Sequence, residues 1–179
     1  MALLEVITRC YKRPRMLEAN WASLKRLGES GWGRTLMQDA YGVGIAATYE
    51  RLAEYEPEGD WQWLLDDDDL CVYPQLVEDL QQIDRLNVDV VMAKMERDGH
   101  VLPDKFTWHR PPQLGHICVS CYLVRRDVWM QNRRAFAPGH YASDYNFIAA
   151  VFGLDPEVYW LDRVVAKTQR ISRGKPENE

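Results

Sequence analysis

Apolar positions along the chain alternate between short unbroken runs and a spacing of three to four, a switch that predicts strands alternating with helices. Leu3 to Thr8 is a buried-strand run, and it enters a basic turn, Arg9-Cys10-Tyr11-Lys12-Arg13-Pro14. Met16, Leu17, Trp21, Leu24 and Leu27 then recur at helical spacing, with Gly28 placed to end the segment. Arg34 to Asp39 predicts a second strand ending in an acid, followed by a loop holding Gly42 and Gly44 and a helix over Ile45 to Tyr55. Pro57-Glu58-Gly59-Asp60 breaks the chain before a strand at Trp61 to Leu65. A helical stripe from Pro74 to Leu86 and a strand from Asp89 to Met95 complete the regular part.

This order predicts an α/β fold with a mostly parallel, mixed central sheet flanked by helices. Beyond residue 97 the pattern loosens. Asp98 to Leu114 contains Gly99, Pro103, Pro111 and Pro112 and reads as a long loop or hairpin region, of the kind that often faces substrates. Ile117 to Arg125 reads as a strand, Asp127 to Arg134 as a short helix, Tyr141 to Phe152 as a helix with Ser143 or Asp144 near its start, and Tyr159 to Lys167 as a last strand. A single domain is expected over 1–179, divided into halves at 1–97 and 98–170, with 171–179 a flexible tail.

Composition narrows the classes. A chain of 179 residues, 46% hydrophobic and 27% charged, is that of a soluble globular protein able to bury a core. A net charge of −5 argues against a nucleic-acid backbone as an electrostatically driven partner, while leaving open contact through a local basic patch. No apolar run approaches the roughly 20 residues of a membrane span. The opening Met1-Ala2-Leu3-Leu4-Glu5 lacks the basic-then-apolar pattern of a signal, so a cytoplasmic location is expected. Cys10, Cys71, Cys118 and Cys121 are too sparse for a disulfide framework. Cys118-Val119-Ser120-Cys121 lacks the second pair that a structural zinc site needs, and strand alternation would put its two thiols on opposite faces.

The chemistry concentrates where Trp61-Gln62-Trp63-Leu64-Leu65 runs into Asp66-Asp67-Asp68-Asp69. Four adjacent carboxylates repel one another unless water screens them or a cation neutralises them. A hard divalent ion suits them, because Mg²⁺, Mn²⁺ and Ca²⁺ prefer oxygen ligands. The acid run, the basic turn and Asp39 all lie at carboxyl ends of expected strands, where ligands bind in open α/β sheets.

A first strand with Thr8 and a basic turn ending in Arg13-Pro14, an acid after the second strand, and Leu64-Leu65-Asp66-Asp67-Asp68-Asp69-Leu70 followed by Pro74 together resemble the GT-A glycosyltransferases, above all the family 2 type. The likeness runs from about Leu3 to Ile171. It implies a Rossmann-like nucleotide-binding architecture in which 1–97 binds a nucleotide-sugar donor, a UDP-sugar being favoured, and 98–170 faces an unknown hydroxyl acceptor. It also implies Mn²⁺ or Mg²⁺ as cofactor, a Lewis acid for the charge that forms on the departing diphosphate.

By the same resemblance, Thr8, Arg9, Tyr11, Arg13, Asp39, Asp66, Asp67 and Asp68 line the donor nucleotide. Two Asp-x-Asp registers fit, Asp66 with Asp68 and Asp67 with Asp69. The second is favoured as the metal side, and alternation carried past the strand would point Asp67 and Asp69 the same way. Asp144 is expected to act as catalytic base, although the partial match of its neighbourhood leaves helix capping by Ser143 or Asp144 as a competing role. Arg170 and Arg173 are possible diphosphate contacts, and since Lys167 to Arg173 holds no histidine where the family often has a metal ligand, water, Gln169, His140 or another distant histidine would complete the coordination. Trp108, His109 and Trp129 are candidates for an aromatic sugar platform. A nucleotidyltransferase-like enzyme and a non-catalytic nucleotide- or cation-binding relative remain alternatives.

Overall fold

The computed structural model describes residues 2–39, 41–42, 44–137 and 142–169. Its strands are β1 (Leu4–Cys10), β2 (Trp32–Gln38), β3 (Trp61–Leu64), β4 (Asp69–Cys71), β5 (Val90–Arg97), β6 (His100–Leu102), β7 (Tyr122–Arg125) and β8 (Val158–Thr168). The helices are α1 (Pro14–Leu24), α2 (Ile45–Glu54), α3 (Leu76–Ile83), α4 (Arg126–Asn132) and α5 (Ser143–Phe152). All the strands join one mixed sheet in the order β2-β1-β3-β7-β5-β8-β4, with β6 paired to β5 as a hairpin. β1 lies parallel between β2 and β3, and β5 runs parallel to β8. β7 enters antiparallel between β3 and β5, and β4 antiparallel on β8. The late strands thus slot between the early ones, which brings residues from both halves of the chain to one end of β3.

Two apolar cores sit on the two faces. Trp61, Trp63 and Leu65 face one side, against Leu76, Leu80 and Ile83 of α3 and Leu24 of α1. Leu64 faces the other, with Tyr49 and Leu52 of α2, Trp129 of α4 and Phe147 of α5. This period-two alternation makes the Trp61–Leu65 run a strand buried on both sides. Pro14 opens α1, where its missing N–H costs nothing. Gly59 lets the sheet close at its far end, because a Cβ there would come within 2.7 Å of the Glu5 Cβ and 2.9 Å of the Glu5 nitrogen. Among the described residues no helix is long and apolar enough to cross a membrane.

Two segments differ from the sequence expectation, and a third, at the start of Asp98 to Leu114, takes the hairpin form it allowed. Residues Val119–Cys121 form a 3₁₀ turn, so the strand expected from Ile117 begins only at Tyr122. Asp69–Cys71 is a short strand on β8, whereas the pattern showed only an acid run. The β5–β6 hairpin turns through Asp98 and Gly99, at φ of 51° and 81°, the left-handed pair that an Asp-Gly hairpin requires.

Candidate active site

Three parallel strands, β2, β1 and β3, end together, and the segments leaving them converge. After β3, the Leu65 N–H donates to the Ile7 carbonyl at 3.0 Å and the Asp67 N–H to the Arg9 carbonyl at 3.2 Å, so the acids start alongside the end of β1. The Asp69 N–H then donates to the Asp66 carbonyl at 2.9 Å, closing a turn with Asp67 and Asp68 at its corners. Asn20 of α1, fully buried, ties both ends of this turn, its Nδ2 donating to the carbonyls of Asp66 (3.0 Å) and Asp69 (2.8 Å). From the end of β8, the Gln169 N–H donates to the Asp68 carbonyl at 2.7 Å and its Nε2 to the Asp67 carbonyl at 3.0 Å. Gln169 therefore braces the turn through its backbone. The turn also cancels the alternation that would have aimed Asp67 and Asp69 in one direction.

The acid side chains diverge to different partners. Arg9 makes a two-pronged contact with Asp66, Nε to Oδ1 at 2.7 Å and Nη2 to Oδ2 at 2.5 Å, while its guanidinium lies over the Tyr49 ring at 4.6 Å. Arg13 sits between two acids: Nη1 donates to Asp68 Oδ2 at 3.0 Å and Nη2 lies 2.5 Å from Asp67 Oδ1. That second approach is an ion pair by distance but is too poorly aligned for a hydrogen bond, and both Asp67 oxygens are buried without one. Asp69 is satisfied on both oxygens, by Ser120 Oγ at 2.6 Å and Thr168 Oγ1 at 2.9 Å.

Burial, reinforced by the neighbouring acids, pushes Asp67 and Asp69 up to about 7; Arg13 opposes the shift at Asp67, and Ser120 and Thr168 oppose it at Asp69. Asp68 is raised for the same leading reason, burial, with Asp66 adding to it. Side-chain exposure separates the four: 22% for Asp66 and 20% for Asp68 against 0% for Asp67, with Asp69 also buried.

The other expected donor residues gather around this turn. Tyr11 Oη comes so near Gly42 that a Cβ there would meet it at 2.6 Å. Asp39 is buried; its N–H donates to the Cys10 carbonyl and its Oδ2 accepts from the Gly44 N–H, both at 2.9 Å. Thr8 differs, being wholly buried in β1 with its hydroxyl unpartnered in the interior. Asp144 lies in the first turn of α5, its Oδ1 accepting from the Tyr145 N–H at 2.8 Å, while Tyr122 Oη donates to its carbonyl at 3.0 Å. Burial raises its pKa, Arg9 opposes the rise and Asp66 adds to it, so Asp144 shares its electrostatic surroundings with the Arg9–Asp66 pair. Neither Ser143 nor Asp144 caps α5, whose cap residue is Ala142 with no side-chain bond.

Arg170, Arg173, His140 and the 171–179 tail lie outside the described residues. Trp129 belongs to the core, whereas Trp108 and His109 cluster with Trp160, with ring centroids 5.0 and 4.9 Å from it. Asn20, Tyr49, Ser120 and Thr168 were not singled out from the sequence. Asn20 alone left a signal, a polar residue within an otherwise apolar helix stripe.

Both Asp67 oxygens lack a well-formed hydrogen bond, and burial together with the neighbouring acids raises Asp67 and Asp69 to about 7. Among the described residues no three acid, His or Cys side chains converge on one point, so an ion held here would take one or two of these carboxylates. Mg²⁺-type sites shared with substrate phosphates have that composition.

No family model and no curated protein matches the chain, but solved structures do. The S. aureus TarS 1–349 structure in complex with UDP superposes with a TM-score of 0.68 at 15% identity, covering 94% of this chain and 60% of its own. The same TarS fragment in complex with UDP-GlcNAc gives a TM-score of 0.64 at 13% identity, covering 98% and 60%. A mannosyltransferase from Pyrobaculum calidifontis, in complex with GDP-Man and Mn²⁺, gives 0.68 at 12% identity, covering 96% and 58%. The chain thus has the GT-A glycosyltransferase fold, a mixed sheet flanked by helices. It spans about 60% of the length of these neighbours.

Proposed function

We propose that the chain is a metal-dependent glycosyltransferase that takes a sugar from a nucleoside-diphosphate donor, a UDP-sugar being favoured, to a hydroxyl acceptor. The observation that carries this reading is the acid turn itself: four carboxylates at the end of β3, two of them pushed to about 7, paired with Arg9 and Arg13. The fold supports it, since neighbours of that fold are complexed with UDP, UDP-GlcNAc and GDP-Man with Mn²⁺.

Within the proposal, Asp66 and Asp68 hold the ion, Mn²⁺ or Mg²⁺. This differs from the Asp67–Asp69 pairing favoured by the resemblance, and it rests on exposure: Asp66 and Asp68 reach the surface, whereas Asp67 and Asp69 are buried. Asp67 and Asp69 are the buried acids beneath, setting the turn and its negative field. When bound, the ion offers Lewis-acid stabilisation of the diphosphate leaving group. Arg9 orients Asp66, Arg13 balances Asp67 and Asp68, and Tyr11 after β1 with Asp39 after β2 takes the nucleoside. Asp144 accepts the acceptor's proton, its raised pKa moving it toward the range where a general base works well. Residues 1–97 form the donor half, and 98–170 supply Asp144, Ser120 and Thr168, so both halves complete one site.

Thermal shift and donor hydrolysis with a panel of UDP- and GDP-sugars, each with and without Mn²⁺, test the reading. Metal-dependent stabilisation with turnover is expected. Metal-dependent binding with no turnover would reassign the chain to a binding module, and no nucleotide response would end the proposal.

A further inference from the structure

The Cys118-Val119-Ser120-Cys121 segment is absorbed by none of the roles above. Strand alternation would separate its two thiols, but the Val119–Cys121 3₁₀ turn, entered from an extended Cys118, folds the chain back and brings the two residues close. The Cys121 N–H donates to the Cys118 carbonyl at 3.0 Å, closing the turn. Three residues of 3₁₀ rise separate the two Cα atoms by about 6 Å, inside the window of roughly 4.4–6.8 Å that a disulfide spans. Cys118 is half-buried at the surface end, with Arg97 Nη1 3.5 Å from its sulfur, while Cys121 is fully buried, its thiol donating to the Leu102 carbonyl at 3.5 Å. Cys10 and Cys71 are both buried elsewhere in the fold.

We propose that Cys118 and Cys121 form a reactive dithiol that oxidises to a disulfide, and that this modification is read at the acid turn through the intervening Ser120. Ser120 joins the two: its hydroxyl donates to Asp69 Oδ2 at 2.6 Å, and its carbonyl accepts from Trp63 Nε1 at 3.0 Å. The Cys121 thiol, followed by Arg97, favours the Cys118 thiolate, and burial keeps Cys121 protonated. With hydrogen peroxide as oxidant, the Cys118 thiolate attacks one peroxide oxygen, the O–O bond breaks, and the departing hydroxide leaves as water, giving a sulfenic acid. The Cys121 sulfur then attacks the Cys118 sulfur. The S–S bond forms, the S–O bond breaks and a second water leaves, so two thiols lose two electrons to one peroxide. Closing the bridge re-forms the turn and withdraws the Ser120 hydroxyl from Asp69.

The dithiol half of this inference is independent of the proposed function; the consequence for donor binding rests on it. The test treats the whole chain with stoichiometric hydrogen peroxide, followed by thiol counting and non-reducing peptide mapping. One Cys118–Cys121 disulfide, two thiols lost and full reversal by dithiothreitol are expected. Cys121→Ser should trap a dimedone-reactive sulfenic acid at Cys118, and Cys118→Ser should form no bridge. Prior oxidation of Cys10 or Cys71, or oxidation at Cys118 with no intramolecular bridge, would overturn the proposal. In the second arm, Mn²⁺-dependent UDP binding should fall about tenfold on oxidation, the scale of one charge-assisted hydrogen bond, and recover on reduction. Ser120→Ala in the reduced state should match the oxidised wild type. Unchanged binding after complete bridging would refute the coupling. If the reduced protein binds no UDP, the functional proposal fails, and a reversible change in Trp63 emission, isolated by comparison with Trp63→Phe, then decides the coupling.

Discussion

The two ends of the sheet each bury carboxylates and treat them in opposite ways. At the amino end, Glu5 is 4% exposed, yet its oxygens accept from Thr35 Oγ1 (2.6 Å), Tyr55 Oη, and the N–H groups of Glu58 (2.7 Å) and Gly59 (3.0 Å). Burial pushes Glu5 up, but these bonds outweigh it and its pKa falls below the ordinary value, while burial and Glu5 drive Tyr55 up to about 12. At the carboxyl end, Asp67 is just as buried, with only the Arg13 ion pair and the Tyr11 backbone set against burial and its acid neighbours, and Asp69 has two donors set against the charge of Asp66 and Asp68. Both rise to about 7. Glu5 has donors enough to outweigh its burial, whereas at Asp67 and Asp69 burial and like-charged neighbours outweigh the partners, the pattern the proposed ion and diphosphate site calls for.

Substitutions at the two ends should therefore fail differently. The largest effect is expected from Asp144→Asn, which should lower sugar transfer by about 10²–10⁴-fold, the usual span for a general base, with Mn²⁺-dependent UDP binding retained. Loss of binding together with transfer would remove Asp144 from the chemical step. Glu5→Ala strands four donors at the other end and should cost about 3 kcal/mol in urea unfolding, with donor affinity unchanged in the folded protein. Equal stability in wild type and variant would show that the Glu5 network is not structural. Arg9→Lys keeps the charge but loses the two-pronged hold on Asp66, so UDP binding should weaken about tenfold while the melting temperature changes little.

A pH dependence of stability sharpens the contrast from a second side. Because Asp69 ionises near 7 in the fold but near the ordinary carboxylate value when unfolded, the folded state binds more protons between about pH 4 and 7. Metal-free stability should then fall as pH rises across that window and level off above it. Asp69→Asn stays neutral, so relative to wild type it should gain about 2.5 kcal/mol, on the order of 5–10 °C in melting temperature, between pH 5 and pH 8. A constant difference across that range would mean Asp69 is ionised throughout.

Much of the site was legible because its signals are local. The Trp61–Leu65 run entering four acids, the Arg13-Pro14 helix start and the acid after β2 are each contained within a few residues, and the structure gathers them at one end of the sheet. The partners that decide what each acid does were not legible, because they arrive from far along the chain. Ser120 and Thr168 reach Asp69 across 51 and 99 residues. Their arrival depends on β7 and β8 slotting between earlier strands, a pairing no periodicity reveals. The Val119–Cys121 turn was missed for a related reason: an apolar run inside a sheet-bound segment looks like strand whether or not one turn of it coils.

The central claim, that the acid turn binds a nucleoside diphosphate together with a divalent ion through Asp66 and Asp68, is tested most directly by calorimetric titration of UDP with and without Mn²⁺. Wild type, Asp68→Ala and Asp67→Asn should be compared side by side. Saturable UDP binding by wild type only with Mn²⁺, lost in Asp68→Ala and retained in Asp67→Asn, is the result this account predicts. Unchanged Mn²⁺-dependent binding by Asp68→Ala, or no UDP binding by wild type with the metal present, would contradict it.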